Sequence, residues 1–127
     1  MENNKLLAEY LGKKVKEFMW KDLTILVPED CDPITNWGVD FEIWQPDKDW
    51  NQLMMVVDKI EKDGFTWRME HRKKYANNKD ISSFAIWEDE DENPIVNKHE
   101  WQRIEAVYNA CVEYLTLKTN HNENKIR

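Results

Sequence analysis

The stretch from Asp49 to Gly64, DWNQLMMVVDKIEKDG, reads as one complete helix with both ends marked. Asp49 suits the N-cap, because its short carboxylate accepts from backbone N–H groups that the first turn leaves unpaired. Gln52, three residues on, completes the spacing of a capping box. Trp50, Leu53, Val57 and Ile60 recur at helical intervals, and Met54 and Val56 widen the stripe, so one face is built for burial. Gly64 stands where a left-handed C-cap is wanted. A helix this one-sided needs a layer to pack on, and the sequence on either side supplies strands.

Upstream, Asn4 to Leu11 predicts a short helix with Leu6, Leu7, Tyr10 and Leu11 inward, stopped by Gly12. Val15–Trp20 and Leu23–Val27 read as strands around a tight Lys21-Asp22 turn. Pro28 to Gly38 is a loop, and Asp40–Gln45 reads as a third strand ended by Pro46. Downstream, Phe65–His71 alternates, with Phe65, Trp67 and Met69 on one face and Thr66, Arg68 and Glu70 on the other. Arg72–Asp80 reads as a polar loop, Ser82–Trp87 as a strand and Glu88–Asn93 as an acidic turn. Asn97–Leu117 reads as the longest helix. Asn97 and Glu100 fit a capping box there, and Trp101, Ile104, Val107, Tyr108, Cys111, Val112 and Leu115 form its apolar stripe. The expected class is α+β: a small antiparallel or mixed sheet of about five strands packed between helices, in the order α-β-β-β-α-β-β-α. Residues 1–118 make one domain, followed by a polar tail at 119–127.

Composition narrows the function. The chain has 127 residues, 41% of them apolar and 34% charged, which suits a single globular domain. The net charge of -7 disfavours duplex nucleic acid, whose binding depends on neutralising phosphates. No apolar run is long enough to span a bilayer, and Met1–Lys5 is not a signal peptide, so no membrane partner and a cytoplasmic location are expected. The two cysteines, Cys31 and Cys111, have no zinc spacing, and Cys111 falls within an apolar stripe.

One resemblance stands out. Trp50-Asn51-Gln52-Leu53-Met54-Met55-Val56-Val57-Asp58-Lys59-Ile60-Glu61 resembles the signature of the phage ABA-sandwich domain family. In that family a Trp-rich helix start runs into Leu-Met and then Val-Val-Glu-Lys-Ile-Glu. Asn4–Gly12 is similar to the family's opening helix, and Arg103–Tyr114 to its closing one. Gln52 stands where the family usually has a second Trp, Met55 where it has Pro, and the connection from Trp20 to Trp44 is long. The resemblance implies a small phage or prophage protein in a host bacterial cytoplasm, with a sheet between helices. It implies no catalytic residues and no cofactor.

Seven tryptophans are the oddest feature of the composition. Trp50, Trp67 and Trp101 fall on inward faces. Trp44 is out of phase with Phe41 and Ile43, and Trp87 with Phe84 and Ile86, so pleat parity sends both to the opposite sheet face. Arg68 points there too, near Glu42, Glu70 and Arg72. Two indoles beside guanidinium groups could stack a base and hold a phosphate. The competing reading is that a helix covers this face and the indoles are core. The basic run Arg68–Lys74 reads either as an anion site or as a solvated strand end and loop, with His71 inside it.

The acidic turn offers a calcium reading through Asp89, Asp91, Asn93 and Glu100, opposed by Pro94 where a loop of that kind needs glycine. No phosphate loop, nucleophile elbow or zinc motif occurs.

The expectation is therefore an accessory binding protein without turnover, with Trp44, Arg68, Arg72 and Trp87 as contacts. Its partner would be a small anionic nucleotide-like ligand, sequestered against host defence, or a host protein that it blocks. A virion or assembly component and a nucleotide hydrolase are the alternatives. A homo-oligomer remains open, because sequestration pockets often form between subunits.

Overall fold

The computed structural model describes residues 2–30, 42–76, 79–88 and 93–126. The order is α1 (Glu2–Tyr10), β1 (Val15–Trp20), β2 (Leu23–Pro28), α2 (Trp50–Lys62), β3 (Phe65–Ala76), β4 (Lys79–Glu88), β5 (Val96–Glu100) and α3 (Arg103–Ile126). The class is α+β. The strands form two antiparallel sheets, β1-β2 and β3-β4-β5.

Helix α2 follows its sequence closely. The Asp49 carboxylate accepts from the N–H groups of Asn51 and Gln52, at 2.9 and 3.2 Å. Leu53, Val56, Val57 and Ile60 are buried, and Gly64 has φ +101°. Gln52 does not return its side chain to Asp49 as a capping box would. Its Oε1 accepts from the Gln45 N–H at 2.6 Å, and its Nε2 donates to the Ile43 carbonyl at 2.7 Å. The first hairpin turns on Lys21 and Asp22, at φ 46° and 66°. Two successive positive φ values match the right-handed twist of the flanking strands, and they hold the register at Trp20↔Leu23.

Four stretches differ from expectation. Residues 42–45 form no strand, and Asp40 and Phe41 lie outside the described residues. The reason is Gln52: its side chain takes backbone groups that a strand ladder would use. Asn97–Glu100 belongs to β5, not to a helix start, and α3 begins at Arg103. The open edge of β4 takes Val96 opposite Ile86 and Lys98 opposite Phe84. Burial then alternates along β5, with Val96 inward and Asn97 outward. Arg72–Ala76 continues β3 instead of looping. The polar residues after Leu117 continue α3 to Ile126 instead of leaving it.

The core lies on one face of the three-stranded sheet. Register places Trp67, Ile86 and Val96 side by side there, with Phe84 in the next row. Helices α2 and α3 contribute Leu53, Ile60, Val107 and Cys111 to the same cluster, and Leu7 of α1 and Leu26 of β2 join it. Burial of each large apolar side chain contributes about 1.5–3 kcal/mol. Cys111 is fully buried, and burial pushes its thiol up to about 12, so it behaves as an inert packing group. Cys31 lies outside the described residues.

The three helices are tied together at one corner. The Tyr10 hydroxyl donates to Asp63 Oδ2 at 2.5 Å, and the Lys59 and Lys118 ammonium groups lie 4.9 and 5.0 Å from the Tyr10 ring centre. Burial, and then the bond to Asp63, raise the Tyr10 hydroxyl well above its ordinary range. The Tyr10 hydrogen bond holds the Asp63 carboxyl below the usual carboxylate range, with Lys59 and Lys118 assisting. A lowered folded value means that this stabilisation is full above the ordinary carboxylate pKa. It is lost as pH falls through the folded value. Tyr10→Phe should therefore cost about 1 kcal/mol at neutral pH, and less in acid. Urea unfolding at both pH values checks this; an equal cost at each would show that Asp63 plays no part.

Candidate functional site

The other face of the sheet carries Thr66, Arg68, Glu70 and Arg72 on β3, opposite Trp87, Ala85, Ser83 and Ile81 on β4. Pleat parity thus places Arg68, Arg72 and Trp87 on one surface, and both arginines are exposed. They do not converge on one point. Trp87 lies opposite Thr66, six residues before Arg72, which is about 20 Å along a strand. Glu70 sits between the arginines, 3.0 Å from Arg68 and 3.8 Å from Arg72. The hollow beside them, ≈ 240 Å³, is lined by Glu70, Arg72, Ile81, Ser83 and His99 and does not include Trp87.

Trp44 does not belong to that surface. It is 3% exposed and packs in the core, and its Nε1–H donates to the Asn4 carbonyl at 2.6 Å. Its segment is not a strand, so alternation does not govern the indole; a single backbone bond from the Trp44 N–H to the Leu26 carbonyl sets it against β2. For the calcium reading, Asp89 and Asp91 lie outside the described residues. Glu100 sits in a strand and accepts from Asn109 Nδ2 at 3.0 Å. Among the described residues, no group of three His, Cys, Asp or Glu side chains is placed to hold a metal.

Among the described residues, the two most exposed indoles are ones that the sequence assigns to the core. Trp50 is 39% exposed and Trp101 is 52% exposed. Trp50 is the first residue of α2, where the apolar stripe runs past the packed region. Trp101 lies between β5 and α3, not inside a helix. Both line one open cleft of ≈ 670 Å³, floored by Met54, Met69 and Ile104. That volume falls within the roughly 300–1,000 Å³ of small-molecule clefts. Large exposed apolar side chains gathered in one concavity are informative in a way that scattered ones are not.

Polar groups border this apolar floor. The Lys79 ammonium stands 5.5 Å from the Trp101 ring centre, and Arg103 lines the cleft at the start of α3. His71 and Asp80 line it from the sheet. Register puts His71 directly opposite Ser82, and the two side chains meet at 2.7 Å through Nδ1 and Oγ. His71 Nε2 lies 3.3 Å from Asp80 Oδ2. A serine, a histidine and an acid in a chain invite comparison with a hydrolytic triad. The chemistry fails at the nucleophile: Ser82 is fully buried, so its hydroxyl cannot meet a substrate. The chain fixes the histidine instead.

Comparison of the protein with known families, curated proteins and solved structures gave no significant match. Among the described residues, no helix is long and apolar enough to cross a membrane.

Proposed function

We propose that this chain is a phage-encoded accessory binding protein, without turnover, that sequesters a small aromatic anion of the nucleotide type. The observation that supports this reading is the cleft shared by Trp50 and Trp101, with Lys79 and Arg103 beside it. Indole faces stack any planar base, and the cations suit a phosphate despite the protein's net charge of -7. The phage-like helical segments favour a role inside an infected bacterium, where withdrawing a nucleotide signal would blunt a host defence. The cleft takes the place of the surface first expected around Trp44, because that indole is sealed in the core.

Nucleoside monophosphates, titrated while tryptophan emission and thermal unfolding are followed, test this directly. A ligand at a hundred times its Kd should stabilise the fold by about 2.7 kcal/mol. Trp101→Ala should weaken binding roughly ten- to a hundredfold, the loss expected for one base–aromatic stack, and leave unfolding of the free protein almost unchanged. Millimolar nucleotide without any shift in melting would sink the proposal.

A further inference from the structure

We infer that the cleft selects a guanine base over the other nucleobases, with the Asp80 carboxylate reading its edge. This rests on the nucleotide reading of the same cleft. Asp80 lines the cleft with a side chain 48% exposed, on the sheet side of the two indoles. A carboxylate only accepts hydrogen bonds. Guanine alone among the bases presents two adjacent donors, N1–H and the 2-amino group, which a carboxylate can take as a pair. Adenine sets its N1 acceptor beside its amino group, cytosine does the same with N3, and uracil flanks its one donor with two carbonyl oxygens. Each of these would place lone pairs against Asp80.

The carboxylate is held for this role. His71 Nε2 lies 3.3 Å from Asp80 Oδ2, so the imidazole packs against the acid. The opposite nitrogen, Nδ1, hydrogen-bonds with the Ser82 hydroxyl at 2.7 Å. Ser82 is fully buried and directly opposite His71 in the β3–β4 register, so the ring is anchored from inside the sheet. Asp80 is thus positioned before any ligand arrives, which lowers the ordering cost of recognition.

Titration with guanosine, inosine and adenosine monophosphates separates this inference from the reading beneath it. The wild-type protein should bind the guanosine form about ten- to a hundredfold tighter than the adenosine form. Inosine, which lacks the 2-amino group, should fall between. Asp80→Asn should remove most of that preference by weakening the guanosine form alone, and a circular-dichroism melt would check that the variant is folded. Equal or tighter binding of the adenosine form would overturn guanine selection while leaving aromatic-anion binding intact. A preference that survives Asp80→Asn would overturn the role of Asp80. Failure of all three nucleotides to bind would overturn both.

Discussion

Phe84→Ala should cost about 3–5 kcal/mol, measured as a lower midpoint in urea with little change in slope. Phe84 lies in the central strand of the three-stranded sheet and is 1% exposed. Its ring stacks on Trp67 at 5.5 Å with 19° between planes. Met69 and Lys98 flank it across β3 and β5. Truncation removes the transfer energy of a full ring and leaves a cavity that two hydrogen-bonded neighbours prevent the strand from closing. For a domain with total stability of roughly 5–15 kcal/mol, that is a large share. Trp67 loses its stacking partner, so its emission should change in the folded state as well. Leu23→Ala is the matched control: Leu23 is 66% exposed at the hairpin end, and its loss should stay within about 0.5 kcal/mol. A Phe84→Ala cost below that of a single methylene would mean that α2 and α3 can settle onto the sheet, and the core described here would be wrong.

Much of this architecture is readable from local pattern. The N-cap and the inner stripe of α2 depend on neighbours within a few residues: Asp49 caps, and Leu53, Val57 and Ile60 are buried, while Trp50 is exposed and Gln52 closes no capping box. The hairpin between β1 and β2 is equally local, with Trp20 and Leu23 paired as the turn length demands. Parity along β3 and β4 is also local, which is why Arg68 and Trp87 share a face while Trp67 and Phe84 share the other.

The errors fall where a distant partner decides. Asn97 to Glu100 satisfies a helix cap and an alternating strand equally well, and the unpaired edge of β4 selects the strand. That choice moves the helix start to Arg103 and turns Trp101 from core to surface. Trp44 shows the converse. Alternation would turn its indole outward in a strand, but residues 42–45 are not one.

The candidate cleft is hard to see in sequence for the same reason. It forms where α2 begins, where α3 begins and where the inner row of β3 runs past the helices, and element ends are the least legible part of any pattern.

Gln52→Leu should cost about 2–4 kcal/mol, although leucine is larger in apolar area and equally suited to a helix. Gln52 is 2% exposed and makes three hydrogen bonds outside its own helix. Its amide donates to Glu42 Oε1 at 2.8 Å and to the Ile43 carbonyl at 2.7 Å, and its oxygen accepts from the Gln45 N–H at 2.6 Å. Leucine would leave a backbone donor and a backbone acceptor unpaired beneath α2, and each such group costs about 1–3 kcal/mol when buried. Replacement of the amide therefore loses more than the added apolar contact returns. The same side chain sets Trp44, whose neighbours on both sides it holds, so the indole should loosen and its emission shift to the red. Gln52→Glu separates hydrogen bonding from size. Glutamate can still accept from Gln45, but it faces Glu42 and a carbonyl with no proton to give. Its charged form is disfavoured in the fold, so its folded pKa rises above the ordinary value of about 4.3. The penalty is then full at neutral pH and shrinks as pH falls through that raised value, because the protonated acid can donate once. Stability that improves on mild acidification for Gln52→Glu, but not for Gln52→Leu, would identify the amide's donors as what fixes residues 42–45. A Gln52→Glu variant as stable as the parent at neutral pH would show that the loop holds itself in place without them.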